Sequence, residues 1–359
     1  NGTIENLTVE GKISTSVKNS AYAAGIVAYG YPVQMNHCVN RVDVTATAGG
    51  VTAGVAAYVY SGSNIKNCTN QGTVKGSGNY VGGIAANVSG YSNSVTIEGC
   101  LNSGTVTNSG NSNYATGGIA GSVSGTASVV ERCGNTGVIS STIKRTGGIV
   151  GSAIGTFRSC FNTGSVTGIY NTGGIAGSCA AKDTKITDCY NWGDVTCNTP
   201  KDSFKVDSYS KGVGGIVGDP NSNSCSGIVL TNCYNTGVIK NNSTTEGVVL
   251  GGVIGTSTGN SYSGVGTKGL ITAVNCYYLK ADGLQGDGAD ASAAGITAKS
   301  EEELKSAAMA EALGSSYIIT QTGSYPMLGW QDPNAKYTVK FTLFPSTAKL
   351  TVKQGETVV

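Results

Sequence analysis

Eleven cysteines are the residues in this 359-residue chain whose type and spacing first suggest chemistry. Eight of them, Cys38, Cys68, Cys100, Cys133, Cys160, Cys189, Cys233 and Cys276, are separated by 30, 32, 33, 27, 29, 44 and 43 residues. A zinc site takes thiolates in close pairs such as Cys-x-x-Cys, usually with imidazoles. Here the thiols come one per repeat and the chain has a single histidine, His37. That excludes a multi-histidine metal site and a second histidine for acid–base work. His37 itself reads as a surface residue, and neither a metal nor another cofactor is expected. A small apolar side chain recurring at one inward position fills a core, which is the favoured reading of the series. A disulfide ladder across neighbouring parallel strands would be strained. Cys179, Cys197 and Cys225 stand outside the series, and Cys197 and Cys225, in segments read as loops, are the disulfide candidates.

The 21 carboxylates are scattered. Asp188 and Asp194 share outward parity but stand six residues apart along one strand path, whereas glycoside cleavage needs two carboxyl groups roughly 5–10 Å apart. Asp282, Asp287 and Asp290 form an acidic, glycine-rich loop whose spacing is not that of an EF-hand, so a solvated loop is favoured over a calcium site. No nucleophile motif or phosphate loop is present, and no catalytic residue is assigned. The expectation is a protein that is not an enzyme.

The elements that carry these residues follow from the repeat. Ile-x-x-Cys-x-Asn-x-Gly-x-Val is followed by a variable stretch and then by Gly-Gly-Ile-Ala/Val-Gly. Asparagine stands two residues after the cysteine at Asn40, Asn70, Asn102, Asn135, Asn162, Asn191 and Asn235, and a degenerate copy with Leu7 in the cysteine place opens the chain. Cysteine, asparagine, glycine and valine share parity and so point to one side of extended chain. Asparagine in such a column either turns the backbone into the left-handed region or hydrogen-bonds from turn to turn. A repeat of this length with two or three short strands suits one turn of a parallel β-solenoid. Nine copies stacked at roughly 4.8 Å give a rod on the order of 40 Å long. Right-handed coiling is expected from the handedness of parallel crossovers.

Composition agrees. The chain has 55 glycines and 12% charged residues, where about 25% charge is ordinary, leaving little to clothe amphipathic helices. A formal net charge of +2 without basic runs gives no reason to expect nucleic acid, and no apolar stretch is long enough to insert in a membrane. The fold class expected is all-β, a parallel β-helix of about nine turns over 1–298. A capping segment with a short helix follows at 299–332, opened by the capping box Ser300-Glu301-Glu302-Glu303, with Leu328 and Trp330 read as covering the last turn. From 333 to 359, alternation in Tyr337–Leu343 and Lys349–Lys353 reads as the opening strands of an immunoglobulin-like or other β module.

The position after the cysteine carries Phe161, Tyr190, Tyr234 and Tyr277 in the later repeats. Parity turns them outward, where they either stack as a stabilising cross-strand column or form an exposed strip for a sugar ring or protein. The same repeats carry long insertions, 197–211 with Phe204 and Tyr209, and 219–228. Phe161, Tyr190, Tyr234, Tyr277, Phe204 and Tyr209 are therefore the candidate ligand-binding residues.

The Gly-Gly-Ile-Ala/Val-Gly blocks at 82–86, 117–121, 147–151, 173–177, 214–218 and 251–255 resemble the GLUG motif, the first departing at Ala86 and the last reading Gly-Gly-Val-Ile-Gly. Cys-Tyr-Asn-x-Gly at 189–193 and 233–237, and the tail through Tyr325-Pro326-Met327-Leu328-Gly329-Trp330, are similar to the same arrays. Such repeats occur in large surface proteins, many of them from Gram-positive gut bacteria. The resemblance implies an extracellular, cell-surface or secreted setting, with the chain an excerpt of a longer precursor and monomeric as such. It implies an adhesin or display module whose partner is a glycan or a host-surface protein. A structural spacer, or a β-helix lyase or hydrolase with two carboxylates, or a carboxylate and a basic residue, converging beside the 197–228 insertions, are the alternatives.

Overall fold

The computed structural model describes residues 2–17, 21–91, 93–110, 114–198, 211–222, 225–244, 246–259, 267–334, 336–343 and 346–353. The chain divides into two compact units, 1–299 and 300–359.

The first unit is a parallel β-solenoid. One turn illustrates the rest: Thr156–Arg158, Phe161–Asn162, Val166–Gly168, Thr172–Gly173 and Ala176–Cys179. Each strand pairs in parallel with its equivalent in the next turn, from Thr156↔Lys185 and Phe161↔Tyr190 to Ala176↔Val217. The five strand positions assemble into three sheets. The sheet that precedes the cysteines has nine strands, so about eight turns separate its first strand from its last.

A corner precedes each cysteine of the series, and Leu7 in the opening copy. Asn6, His37, Asn67, Gly99, Arg132, Ser159, Asp188, Asn232 and Asn275 have φ between 49° and 64°. This is the left-handed region that asparagine, aspartate and glycine enter at least cost. The asparagines two residues after the cysteine are instead strand residues, so their role is in the side chain. Nδ2 of Asn40 donates to Oδ1 of Asn70 at 2.7 Å. The same 2.7 Å bond then links Asn70 to Asn102, Asn135, Asn162, Asn191 and Asn235 in turn. Every member is at most 1% exposed. Val9 pairs with Asn40 at one end of the ladder and Tyr278 with Asn235 at the other.

The ladder explains the glycine pairs. A Cβ on Gly148 would sit 2.4 Å from Cγ of Asn162 and 2.1 Å from the carbonyl of Gly174. Gly118, Gly174 and Gly215 meet Asn135, Asn191 and Asn235 in the same way. Close approach of backbone to a buried amide, repeated each turn, requires glycine there.

The cysteine column lies in the core with Ile84, Ile119, Ile149, Ile175 and Ile216. Each thiol donates to a carbonyl two residues earlier, as in Cys133 Sγ to Glu131 O at 3.2 Å. All eleven cysteines are buried, and none is in a disulfide. Cys197 and Cys225, the two disulfide candidates, are not joined. Cys197 ends a strand, Val195–Cys197, and its thiol donates to the carbonyl of Ile169, while Cys225 contacts Ser222 Oγ at 3.3 Å.

In the second unit, Ser300 caps the helix Glu301–Leu304 with a complete capping box. Helical spacing predicts one run to Leu313, but it breaks at Lys305, and Ser306 caps a second helix, Ala307–Leu313. Tyr317–Ile318 pairs antiparallel with Met327–Leu328. Lys336–Leu343 and Ser346–Lys353 form an antiparallel hairpin.

Candidate functional site

Phe161, Tyr190 and Tyr234 form the column that parity indicates, with rings stacked at 5.6 and 5.5 Å. They are not an exposed strip: Phe161 is 7% exposed, and Tyr190 and Tyr234 are 0%. Trp192, two residues after Tyr190 and so on the same side, lies 4.7 Å from its ring and donates Nε1–H to the Tyr234 hydroxyl at 2.8 Å. A Cβ on Gly134 would meet the Phe161 ring at 2.3 Å, so the ring also extends over the turn before it. Tyr277 is half-buried and its hydroxyl donates to Asn275 Oδ1 at 2.5 Å. This column stabilises the sheet, as a cross-strand aromatic stack does. Phe204 and Tyr209 lie outside the described residues.

The exposed aromatics are at the other end of the rod. Tyr22, Tyr29 and Tyr31 are 39%, 51% and 63% exposed. Tyr29 pairs in register with Tyr58, and their rings stack at 5.0 Å and 11°. Tyr31 and Tyr60 meet at 4.6 Å, and Tyr58 and Tyr60 are nearly parallel at 6.4 Å. Tyr22 stands edge-on to Tyr29 and Tyr58, at 69° and 80°. Further along, Tyr80 and Tyr114 make an edge contact at 4.9 Å, and Tyr91 is 77% exposed. A sequence signal for this cluster exists in Tyr29-x-Tyr31 and Tyr58-x-Tyr60, one repeat apart, outside the position that follows the cysteine.

The same register column continues as Asn87, Ser122, Ser152, Ser178 and Asp219. At its far end is a buried polar group that sequence reasoning also missed. Asp219, 0% exposed, accepts from Asn171 Nδ2 and Ser178 Oγ. The Lys144 amine sits 5.3 Å from the centre of the Tyr170 ring and is itself buried. Burial, and then the charge of Arg145, bring the Lys144 pKa down to about 8 against the opposing pull of Asp219.

The remaining candidate acids are engaged locally. Asp188 accepts from Asn232 Nδ2 at 2.9 Å. Asp194 takes Lys240 Nζ at 2.9 Å and the Val238 amide at 3.0 Å, which hold its carboxyl below the usual range despite some burial. Asp287 is not a solvated loop residue. It is 1% exposed, burial raises its pKa, and it accepts from the amides of Ala289 and Ser257. His37 is exposed while Cys38 is buried. Among the described residues no group of three or more His, Cys, Asp or Glu side chains is placed to hold a metal ion. No helix among them is long and apolar enough to cross a membrane.

No protein-family model matches the chain, and no curated protein matches it. Among solved structures it is similar to one described as a "putative immunoglobulin A1 protease from Bacteroides ovatus". The identity is 19% and the TM-score 0.46, over 92% of this chain and 87% of that one.

Proposed function

We propose that this chain is a non-catalytic binding or display rod of an extracellular, cell-surface protein, recognising a glycan or a host-surface protein. The observation that carries this reading is the tyrosine cluster of the first two turns. The scaffold does not need aromatic rings there, because the same register position is serine at Ser122, Ser152 and Ser178. Three tyrosines more than a third exposed cost solvation of apolar surface without filling a core, the signature of a recognition patch.

The test is a glycan, mucin and host-protein array probed with the 359-residue chain and with Tyr29→Ser/Tyr58→Ser. Serine is the residue the scaffold already accepts at that position, so the variant should fold. Binding that the variant loses supports the reading, while silence of the unmodified protein across all arms refutes it.

The buried Asp219 and Lys144 favour a second reading, a carbohydrate-active β-helix enzyme. Asp219 acts electrostatically on the Lys144 amine, and a carboxylate with a basic residue is one of the pairs that alternative calls for. Both are under 10% exposed, so a substrate would have to displace whatever covers them. Release of new reducing or unsaturated ends from a polysaccharide, abolished by Asp219→Asn, would establish it.

A further inference from the structure

We infer that the tyrosine cluster of the first turns binds a neutral oligosaccharide, not a charged glycan and not a protein; this rests on the binding-rod reading above. Three observations point to that occupant. The first is charge. The electrostatic neighbours that act on Tyr29 are Tyr58, Tyr22, Tyr31 and Tyr60, with no charged side chain among them. A sialylated or sulfated chain needs cations to replace its hydration, and none is among these neighbours of Tyr29.

The second observation is the form of the surface. Tyr29 and Tyr58 are nearly coplanar in orientation, Tyr58 and Tyr60 also, and Tyr22 stands across them as an edge. Tyr29 lies on Val27–Gly30, the terminal strand of its sheet, so no described strand of that sheet lies beyond it. Apolar ring surface bordered by phenol hydroxyls offers a pyranose both things it carries, C–H groups for the ring and hydroxyls for the phenol oxygens. A protein hot spot, by contrast, is a desolvated pocket enclosed by a rim, and these rings stand out from the sheet.

The third is extent. Tyr80, the next aromatic along the rod, is within electrostatic reach of Tyr58, Tyr91 and Tyr114, and its pKa is pushed up to about 12 by burial first and Tyr114 next, against the opposing charge of Arg145. Tyrosines thus continue past the first two turns. A ligand that uses them is a chain of sugars running along the rod and not a single ring.

The experiment titrates the 359-residue chain calorimetrically with neutral glucan, mannan and galactan oligomers of increasing length. Sialylated and sulfated mucin glycans form a charged arm, and deglycosylated mucin polypeptide a protein arm. We expect binding to a neutral series that tightens with chain length. Tyr29→Ser/Tyr31→Ser should weaken it by roughly tenfold or more, at the scale of one to two ring contacts. An unchanged far-ultraviolet spectrum and thermal midpoint would show that the variant is folded, and Tyr190→Phe should bind normally. Tyrosine-dependent binding in the charged or protein arm alone overturns the oligosaccharide assignment and leaves the binding rod standing. Binding in no arm overturns both.

Discussion

The buried asparagine is the residue on which the rod's regularity depends. Each internal Asn gives one Nδ2 hydrogen to the next turn and the other to a carbonyl two residues on, as Asn135 does to Asn162 and Gly137. Asn135→Ala therefore strands two amides, Asn102 Nδ2 and Asn162 Oδ1, at roughly 1–3 kcal/mol for each group left without a partner. Asn40→Ala strands one inter-turn amide, because Val9 stands beyond it. Denaturant titration should rank the loss at Asn135 clearly above that at Asn40; equal losses would mean the ladder bonds are not what stabilises the column. Lys144 allows a test with a sign. Its pKa falls to about 8 from an ordinary 10.5, so the unfolded chain binds the extra proton between those values and stability rises with pH across that window. The penalty is complete below about pH 8. Lys144→Met should stabilise the protein at pH 7 and gain less at pH 10, and an equal gain at both would refute the shifted amine.

At the scale of elements, Ser300 and Ser306 each start a helix of a few residues that propensity alone would not hold. Ser300→Ala removes the hydroxyl that accepts from the Glu303 amide, the side-chain half of the capping box, and should cost roughly 0.5–2 kcal/mol of that unit's stability, read by circular dichroism near its unfolding transition. Serine at Ser306 was visible in the sequence, yet the apolar spacing of Leu304, Ala307, Ala308 and Leu313 fits one continuous helix and hides the break. The solenoid was legible for a firmer reason, since parity over four positions recurs once per turn and only parallel stacking keeps all four columns aligned. The asparagine column was legible, but not its conformation, because the left-handed residue is the one before the cysteine and its identity varies from His37 to Arg132 to Ser159. Parity also placed Tyr190 on the correct side. It could not show burial, which depends on Trp192 closing over the same face. The tyrosines at 29, 31, 58 and 60 follow the Gly-Gly-Ile block at positions where later repeats carry mostly serine, so the repeat pattern does not single them out.

For the molecule as a whole, a stack in which each turn touches only its neighbours predicts how it tolerates loss of a turn. Deleting 134–160 removes the segment from the residue after Cys133 through Cys160, one full repeat of 27 residues. It joins Cys133 to Phe161, which occupies the register position of Gly134. Every column then continues: Asn102 faces Asn162, Cys133 takes the place of Cys160, and Ile119 meets Ile175. The shortened rod should unfold cooperatively at a modestly lower denaturant midpoint, having lost one of several equivalent interfaces. The tyrosine cluster, two turns away at its nearest ring stack, should bind whatever it binds with unchanged affinity. Deleting 134–146 is the contrasting case. It is shorter but brings Gly147 against strands built for the cysteine and asparagine columns, so core and ladder positions on the two sides of the joint face the wrong partners. A folded product from the shorter deletion, or an unfolded one from the full repeat, would show that stability resides in something other than turn-to-turn register.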